Sequence, residues 1–275
     1  MNPPRFLLLI LLLAPLAAFA QLQLSGPLIA GTPATLHAGG SGNTTLYLFG
    51  PASAARRNVL RGDIPLSGDE LHAAGRYIVI IDGQRAAFFV SPAETARIAF
   101  LAHPSRVPAA GKDAVIGTAF LFDRFQNLVL APQPVAFQLG SDQRTVMARN
   151  GVASVQMDAG RRSGPAPFIA SAGDLQTVRI VQQVAADPCS LRMSASSSPD
   201  GNILVETAPI EDCSGNAIPD GTIVTFASVD AAGRSTVDAR VKHGLARAEL
   251  PASNSATLSV AAGVALGNQI QWKGH

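Results

Sequence analysis

The chain has 275 residues, 21 basic and 19 acidic side chains, a formal net charge of +2 at pH 7 and two cysteines. Its charges nearly cancel, and the arginine pairs at 56–57 and 161–162 are isolated. The clustered basic footprint of a nucleic-acid-binding protein is therefore missing, and we expect no nucleic acid partner.

The first twenty residues have the pattern of a secretory signal peptide. Arg5 precedes an apolar run that begins at Phe6, and the segment ends in Ala18-Phe19-Ala20. A basic start, a short apolar core and an A-x-A ending suit signal peptidase. The alternative is an uncleaved anchor, but the run is short for a span of roughly 20 residues. We expect cleavage before Gln21, export to a secreted, periplasmic or cell-surface location, and no later transmembrane segment.

From residue 21 onward the pattern predicts an all-β protein. Residues 76–90, RYIVIIDGQRAAFFV, read as two strands around Asp82-Gly83, a dipeptide typical of two-residue hairpin turns. Similar short runs lie at 45–49, 114–123, 134–139, 177–184, 222–229 and 256–263. Turn residues separate the runs, and long helical patterns are missing. Strands at this spacing predict tandem Ig-like β-sandwiches rather than a parallel sheet with crossover helices.

One stretch of the sequence occurs twice. DRFQNLVLAPQPVAF (Asp123–Phe137) returns as DCSGNAIPDGTIVTF (Asp212–Phe226). The offset indicates a repeat of about 90 residues, the size of one sandwich. We therefore predict domains at 93–186 and 187–275, after a divergent β-sandwich domain at 21–92 and the signal peptide at 1–20.

The matching positions of the repeat have the residue types of turns and cores. Aspartate side chains bond their own backbone in turns, and asparagine tolerates left-handed backbone. Valine and phenylalanine two residues apart point to the same face of a strand, here the core. We predict turn and core roles, without catalytic function, for the pairs Asp123 and Asp212, Asn127 and Asn216, Val135 and Val224, and Phe137 and Phe226.

These residues resemble a known family, the bacterial Ig-like domains of the invasin/intimin type (group 1). The matching segments are VPAAGKDAVIGTAFLFDRFQNLVLAPQPVAF (107–137) followed by GVASVQM, and EDCSGNAIPDGTIVTF (211–226). The resemblance covers two tandem copies, approximately residues 95–270. It implies Ig-like sandwiches that act mostly as rigid spacers presenting another element, as in adhesion.

The two cysteines, Cys189 and Cys213, predict one disulfide bond. In an exported protein a lone pair is most simply a structural disulfide. Metal binding or redox chemistry would call for a C-x-x-C pair or nearby histidines, and the sequence has neither.

Patterns for catalysis or metal binding are weak. The five histidines lie in separate segments, no G-x-S-x-G elbow occurs, and adjacent carboxylates such as Asp69-Glu70 would point to opposite faces of a strand. We predict no enzyme activity, cofactor or resident metal. Calcium between sandwiches, held by aspartates at strand ends, is the alternative to simple turn capping. The aspartates concerned are Asp123, Asp212 and Asp220.

The sequence thus predicts an exported, non-catalytic structural or presentation protein whose partner is a protein or a cell-envelope component. The alternative is a carbohydrate- or peptide-binding module with the N-terminal domain as its reader, because aromatic residues form a larger fraction of that domain than of the rest of the chain after residue 20. Exposed aromatics on one face would favour binding, and alternate burial would indicate a plain core. The aromatic residues are Tyr47, Phe49, Tyr77, Phe88 and Phe89.

Overall fold

The computed structural model describes residues 22–274, so the predicted signal peptide lies outside the described residues. Residues 22–274 form twenty β-strands joined by turns, and the all-β prediction is confirmed. Within this range no helix is long and apolar enough to cross a membrane. The chain divides into two compact units: one runs to Ala93 and includes Phe125–Asn127, and the other holds Glu94–Arg124 and the residues from Leu128 onward.

The first unit contains a single five-stranded antiparallel sheet. The order is β1-β2-β4-β5, and β3 also pairs with β2. These strands are β1 (Gln23–Ser25), β2 (Ala34–Phe49), β3 (Ala54–Leu66), β4 (Gly75–Ile81) and β5 (Gln84–Val90).

Strand β2 is long, and its two halves pair with different strands: the first half with β1 and the second half with β4. A straight strand of 16 residues would span about 50 Å, yet both halves of β2 bury side chains in the same core. The pairing of β2 with β3 shifts between Ala38 and Asn43. Gly40 and Gly42 there have φ values of 98° and 93°, which side chains with a Cβ rarely tolerate. The glycine-rich segment therefore lets the long hairpin bend around one core.

The second unit begins with a sandwich of two sheets. One sheet has the order β10-β9-β12-β13-β7, and the other has the order β11-β8-β6. Phe100, Phe137 and Phe168 pack in their shared core, with Phe100 edge-on to Phe168 at 4.9 Å between ring centroids. The strands are β6 (Arg97–His103), β7 (Arg106–Pro108), β8 (Val115–Phe122), β9 (Gln133–Leu139), β10 (Asp142–Ala148), β11 (Val152–Met157), β12 (Gly164–Ala172) and β13 (Leu175–Val184).

A second sandwich completes this unit. Its sheets have the orders β14-β15-β18 and β17-β16-β19-β20. The strands are β14 (Met193–Ser197), β15 (Ile203–Thr207), β16 (Ile223–Asp230), β17 (Gly233–Arg240), β18 (Arg247–Leu250), β19 (Ala256–Ala262) and β20 (Ala265–Trp272). The tandem Ig-like sandwich prediction is thus confirmed as a fold class.

The buried side chains of these strands form three hydrophobic clusters. The first runs from Ala30 to Val90, the second from Ile98 to Val181 and the third from Leu191 to Ala262. The compact units number two, because the second and third clusters belong to one unit. The division into domains 21–92, 93–186 and 187–275 stays a prediction.

Candidate functional site

Asp212 organises the first half of the repeated turn in the last sandwich. Its buried carboxylate accepts hydrogen bonds at Oδ1 from the backbone N–H groups of Ser214 and Asn216, at 2.8 and 2.9 Å. Oδ2 accepts from Asn216 Nδ2 at 2.8 Å and from the Ala186 N–H at 3.0 Å. Burial alone would raise the pKa of Asp212, but these hydrogen bonds outweigh it and hold the pKa below its ordinary value. An ionised aspartate therefore anchors the turn.

Asn216 uses the rest of its amide to bind the preceding sandwich. Its Oδ1 accepts a hydrogen bond from the Ser163 N–H at 2.8 Å, and its Nδ2 donates to the Arg161 carbonyl at 2.7 Å. Arg161 and Ser163 lie between β11 and β12. With the bond to Asp212, both amide hydrogens and the amide oxygen are satisfied. We call the paired bonds to Arg161 and Ser163 the amide clamp.

Asn127 makes the same pair of bonds within the first unit. Its Oδ1 accepts from the Ala74 N–H at 2.9 Å, and its Nδ2 donates to the His72 carbonyl at 2.8 Å. In both copies the bonded residues precede the asparagine by 53 and 55 positions. Phe125–Asn127 accordingly groups with the first unit. The repeat thus reproduces a long-range contact as well as a turn.

The left-handed backbone of the repeated turn lies one residue earlier than the asparagine to which we attributed it. Gln126 has a φ of 68° and Gly215 a φ of 81°. The conformation is therefore carried by the residue before the asparagine, and Gln126 adopts it despite its side chain. The asparagines are left to provide hydrogen bonds.

Sequence reasoning identified Asp212 and Asn216 but missed what Asn216 and Asn127 bind. The clamped segments read His72-Ala73-Ala74 and Arg161-Arg162-Ser163, which share no residue type by position. The asparagine bonds only to backbone groups, which every such segment provides. The spacing of the repeat was the only available indication, and it could not specify a partner.

The predicted core positions of the repeat are all fully buried. Val135 and Phe137 lie on β9, and Val224 and Phe226 lie on β16. The Phe137 ring centroid is 5.9 Å from that of Phe100. These side chains connect each repeated turn to the core of its own sandwich.

The predicted disulfide bond between Cys189 and Cys213 is confirmed, with a Cα–Cα distance of 4.9 Å. Cys213 follows Asp212 directly, and the Cys189 N–H donates to the Glu211 carbonyl at 3.1 Å. The disulfide therefore ties the start of the last sandwich to the turn that carries Asn216.

The aspartates considered for calcium have other partners in the described chain. Four N–H groups occupy the carboxylate of Asp212, and Asp220 accepts from the His243 N–H at 2.8 Å. Asp123 is buried. Among residues 22–274 no group of three or more histidine, cysteine or acidic side chains is arranged to hold a metal ion.

A Ser-His-Asp network occurs on the first sheet, which sequence spacing did not suggest. His37 Nδ1 lies 2.5 Å from Asp63 Oδ1, and His37 Nε2 lies 2.8 Å from Ser25 Oγ. His37 pairs with β1 on one side and β3 on the other, which places the three groups together. The side chains of His37 and Asp63 are 41% and 75% exposed. Catalytic triads work in sites that exclude water, so we interpret this network as a cross-strand connection.

The aromatic residues of the first unit separate into two sets. Tyr77 is buried, stacks on Phe88 at 5.4 Å between ring centroids, and donates its hydroxyl to the Ala73 carbonyl at 2.9 Å. Tyr47, Phe49 and Phe89 are exposed. The inner pair builds the core, whereas the outer three lie on the opposite face of the sheet.

Comparison with known proteins places this architecture among solved structures. No protein-family model matches the chain, and no curated protein matches it. FdeC, an Escherichia coli adhesin, superimposes with a TM-score of 0.62 at 12% identity, over 92% of this chain and 96% of that chain. Invasin, a bacterial integrin-binding protein, gives 0.53 at 14% identity, over 92% of this chain and 60% of that chain.

InvD of Yersinia pseudotuberculosis gives a TM-score of 0.50 at 12% identity, over 91% of this chain and 95% of that chain. The chain has the fold of these three structures. The resemblance to Ig-like domains of the invasin type is therefore confirmed for the fold. Fold alone does not carry function, because one fold hosts many functions.

Proposed function

We propose that this protein is an exported, non-catalytic structural and presentation protein built of Ig-like domains, with an adhesion-like role. The observation that carries the proposal is the amide clamp. Asn216 bonds the last sandwich to the backbone of the preceding one at 2.7 and 2.8 Å, as expected where consecutive domains must hold a fixed orientation. A part-buried pair of hydrogen bonds from the buried Asn216 opposes hinge motion between neighbours.

Two further observations support the proposal. The fold is that of FdeC, an adhesin, and of invasin, an integrin-binding protein. The disulfide suits an oxidising compartment outside the cytoplasm, which agrees with the predicted signal peptide. The proposed location is accordingly secreted, periplasmic or cell-surface, and the proposed partner is a protein or a cell-envelope component.

Backbone ¹⁵N relaxation on the full chain tests the spacer part of this proposal. We expect residues 97–184 and 193–272 to report one rotational correlation time, because the amide clamp and the shared unit make them move together. Distinct correlation times for the two sandwiches would show a flexible connection and would contradict a rigid spacer.

A second candidate function is a carbohydrate- or peptide-binding module with the N-terminal domain as reader. It is favoured by the exposure of Tyr47, Phe49 and Phe89 on one face of the first sheet. The two functions are compatible, because a spacer can carry a reader at one end.

A further inference from the structure

The outer face of the first sheet presents aromatic and aliphatic side chains to solvent. Tyr47 is 36% exposed, Phe49 43% and Phe89 53%. Ile78 and Ile80 lie between them on β4 and are half-buried. No other strand of the first unit, among its described residues, packs on this face. A contiguous exposed apolar patch of this kind marks an interaction site more often than scattered exposed residues do.

Strand register arranges this face in rows. Tyr47 lies opposite Arg56 on one side and Ile80 on the other, and Ile80 lies opposite Arg85. The next row runs through Phe49 and Ile78, which are paired directly. In a third row Arg76 pairs with Phe89. Arginine therefore borders the aromatic centre in two of the three rows. We call this set of residues the aromatic-arginine face.

The charge of this face is of one sign. The charged residues of these three rows are Arg56, Arg76 and Arg85, and none is acidic. The exposed Asp63 also lies on β3, but it pairs with His37, outside these rows. Among residues 22–274 none of these three guanidinium groups forms an ion pair. The Arg56 guanidinium lies over the Tyr47 ring, 5.7 Å from its centroid. Arginine stacked on an aromatic ring keeps its N–H groups available for a carboxylate.

The geometry points to a polysaccharide that carries carboxylate groups as the ligand of the aromatic-arginine face. Sugar rings expose C–H surfaces that pack on aromatic rings, and carboxylates match the planar arginine fork bidentately. The aromatic-arginine face complements both groups, because its apolar rings lie at the centre and its positive charges lie at the borders. This inference rests on the proposed binding role of the N-terminal domain.

Two other occupants fit less well. An extended peptide gains affinity by adding to a free strand edge, which in this sheet belongs to β3 and β5. A peptide there would lie beside the rings of Tyr47 and Phe49 and not over them, because β2 is paired on both sides. A membrane would require apolar side chains that insert roughly 5–10 Å beyond the surface. The three side chains are only 36–53% exposed, so their neighbours already cover a large part of each ring.

Binding of the full chain to immobilised polygalacturonate, with dextran as the neutral control, tests the inference. We expect saturable binding to polygalacturonate, little binding to dextran, and weakening as salt screens the arginines. The double variants R56Q/R85Q and Y47A/F49A should each weaken binding by about tenfold. Y47F keeps the ring and should stay within about twofold of wild type. R234Q and L266S, exposed in the last sandwich, are matched controls and should bind as wild type does.

Unfolding midpoints of all variants should match wild type, so that lost binding reports on the face. Equal binding to dextran, binding only to anionic phosphatidylglycerol vesicles, or polygalacturonate binding insensitive to both double variants would each overturn the ligand assignment. If the protein does not bind polygalacturonate but the two sandwiches of the second unit share one rotational correlation time, the ligand assignment is wrong and the spacer function stands. Separate tumbling would count against the spacer function instead.

Discussion

At the scale of single residues, Asn216 has two roles. One amide hydrogen closes the turn on Asp212, and the remaining hydrogen and the oxygen form the amide clamp with Arg161 and Ser163. Asparagine suits this position because its planar amide offers a donor and an acceptor side by side, as a peptide group does. Aspartate would lack the donor, and serine would be too short to reach both backbone groups.

Replacing Asn216 by alanine should lower the free energy of unfolding of the second unit by about 2–3 kcal/mol, because the buried Asp212 carboxylate and the two part-buried backbone groups of the clamp lose a hydrogen-bond partner. N216D should lower the free energy of unfolding at least as much, since its carboxylate would face the Asp212 carboxylate and the Arg161 carbonyl. Urea denaturation measures both effects. The control is N254A, at an exposed asparagine in the same sandwich. A change in N216A no larger than in N254A would contradict the role of the clamp.

Asp212 makes stability depend on pH. Its pKa is depressed in the folded state, so its hydrogen bonds stabilise the fold above the unfolded-state pKa of about 4, and this contribution is lost as pH falls through the folded pKa. The difference in unfolding free energy between wild type and D212N should therefore shrink from pH 7 to pH 3. D200N, in the exposed turn between β14 and β15, is the control. A difference that stays constant across this range would show that Asp212 does not titrate as described.

At the scale of elements, several strands with an alternating or continuous apolar run were predictable, whereas edge strands rich in polar residues were not. The hairpin around Asp82-Gly83 appears as β4 and β5, with φ values of 47° and 76° in its turn. The strands β3, β10 and β17 were missed because arginines and polar residues interrupt their sequences. Backbone hydrogen bonds to one neighbouring strand hold these strands in place. Such bonds do not depend on side-chain type, so the sequence pattern does not indicate them.

The disulfide bond closes a loop that contains β14 and β15. It closes a segment of 24 residues between the entry of the last sandwich and the turn of Asn216. The double variant C189A/C213A should lose about 3 kcal/mol of stability in the second unit, chiefly by freeing the unfolded chain. The first unit contains neither cysteine and should unfold as in wild type.

Urea denaturation with tryptophan fluorescence follows the last sandwich, because Trp272 is the only tryptophan and lies on β20. Reductant should destabilise wild type and have no further effect on C189A/C213A. Equal stability of wild type with and without reductant would show that the disulfide is dispensable.

At the scale of the whole molecule, two structural features recur: a hydrophobic cluster enclosed by strands, and the repeated turn. Each hydrophobic cluster is enclosed by strands that pair mainly antiparallel, with β7 and β13 as a parallel pair. Both copies of the repeat combine a buried aspartate, a left-handed residue and an asparagine that bonds two distant backbone groups. The first unit departs from this arrangement, because one bent sheet surrounds its core. That departure leaves the aromatic-arginine face on a sheet whose opposite side is already packed.

The sequence by itself determined the all-β class, the disulfide and the approximate repeat, since these follow from residue type and spacing along the chain. The burial of Phe137 and Phe226 likewise followed from strand alternation. Only the tertiary structure decided what Asn127 and Asn216 bind, because backbone groups have no signature in the sequence. It alone decided that Tyr47, Phe49 and Phe89 share an exposed face with three arginines, because strand register, and not position in the chain, sets lateral neighbours.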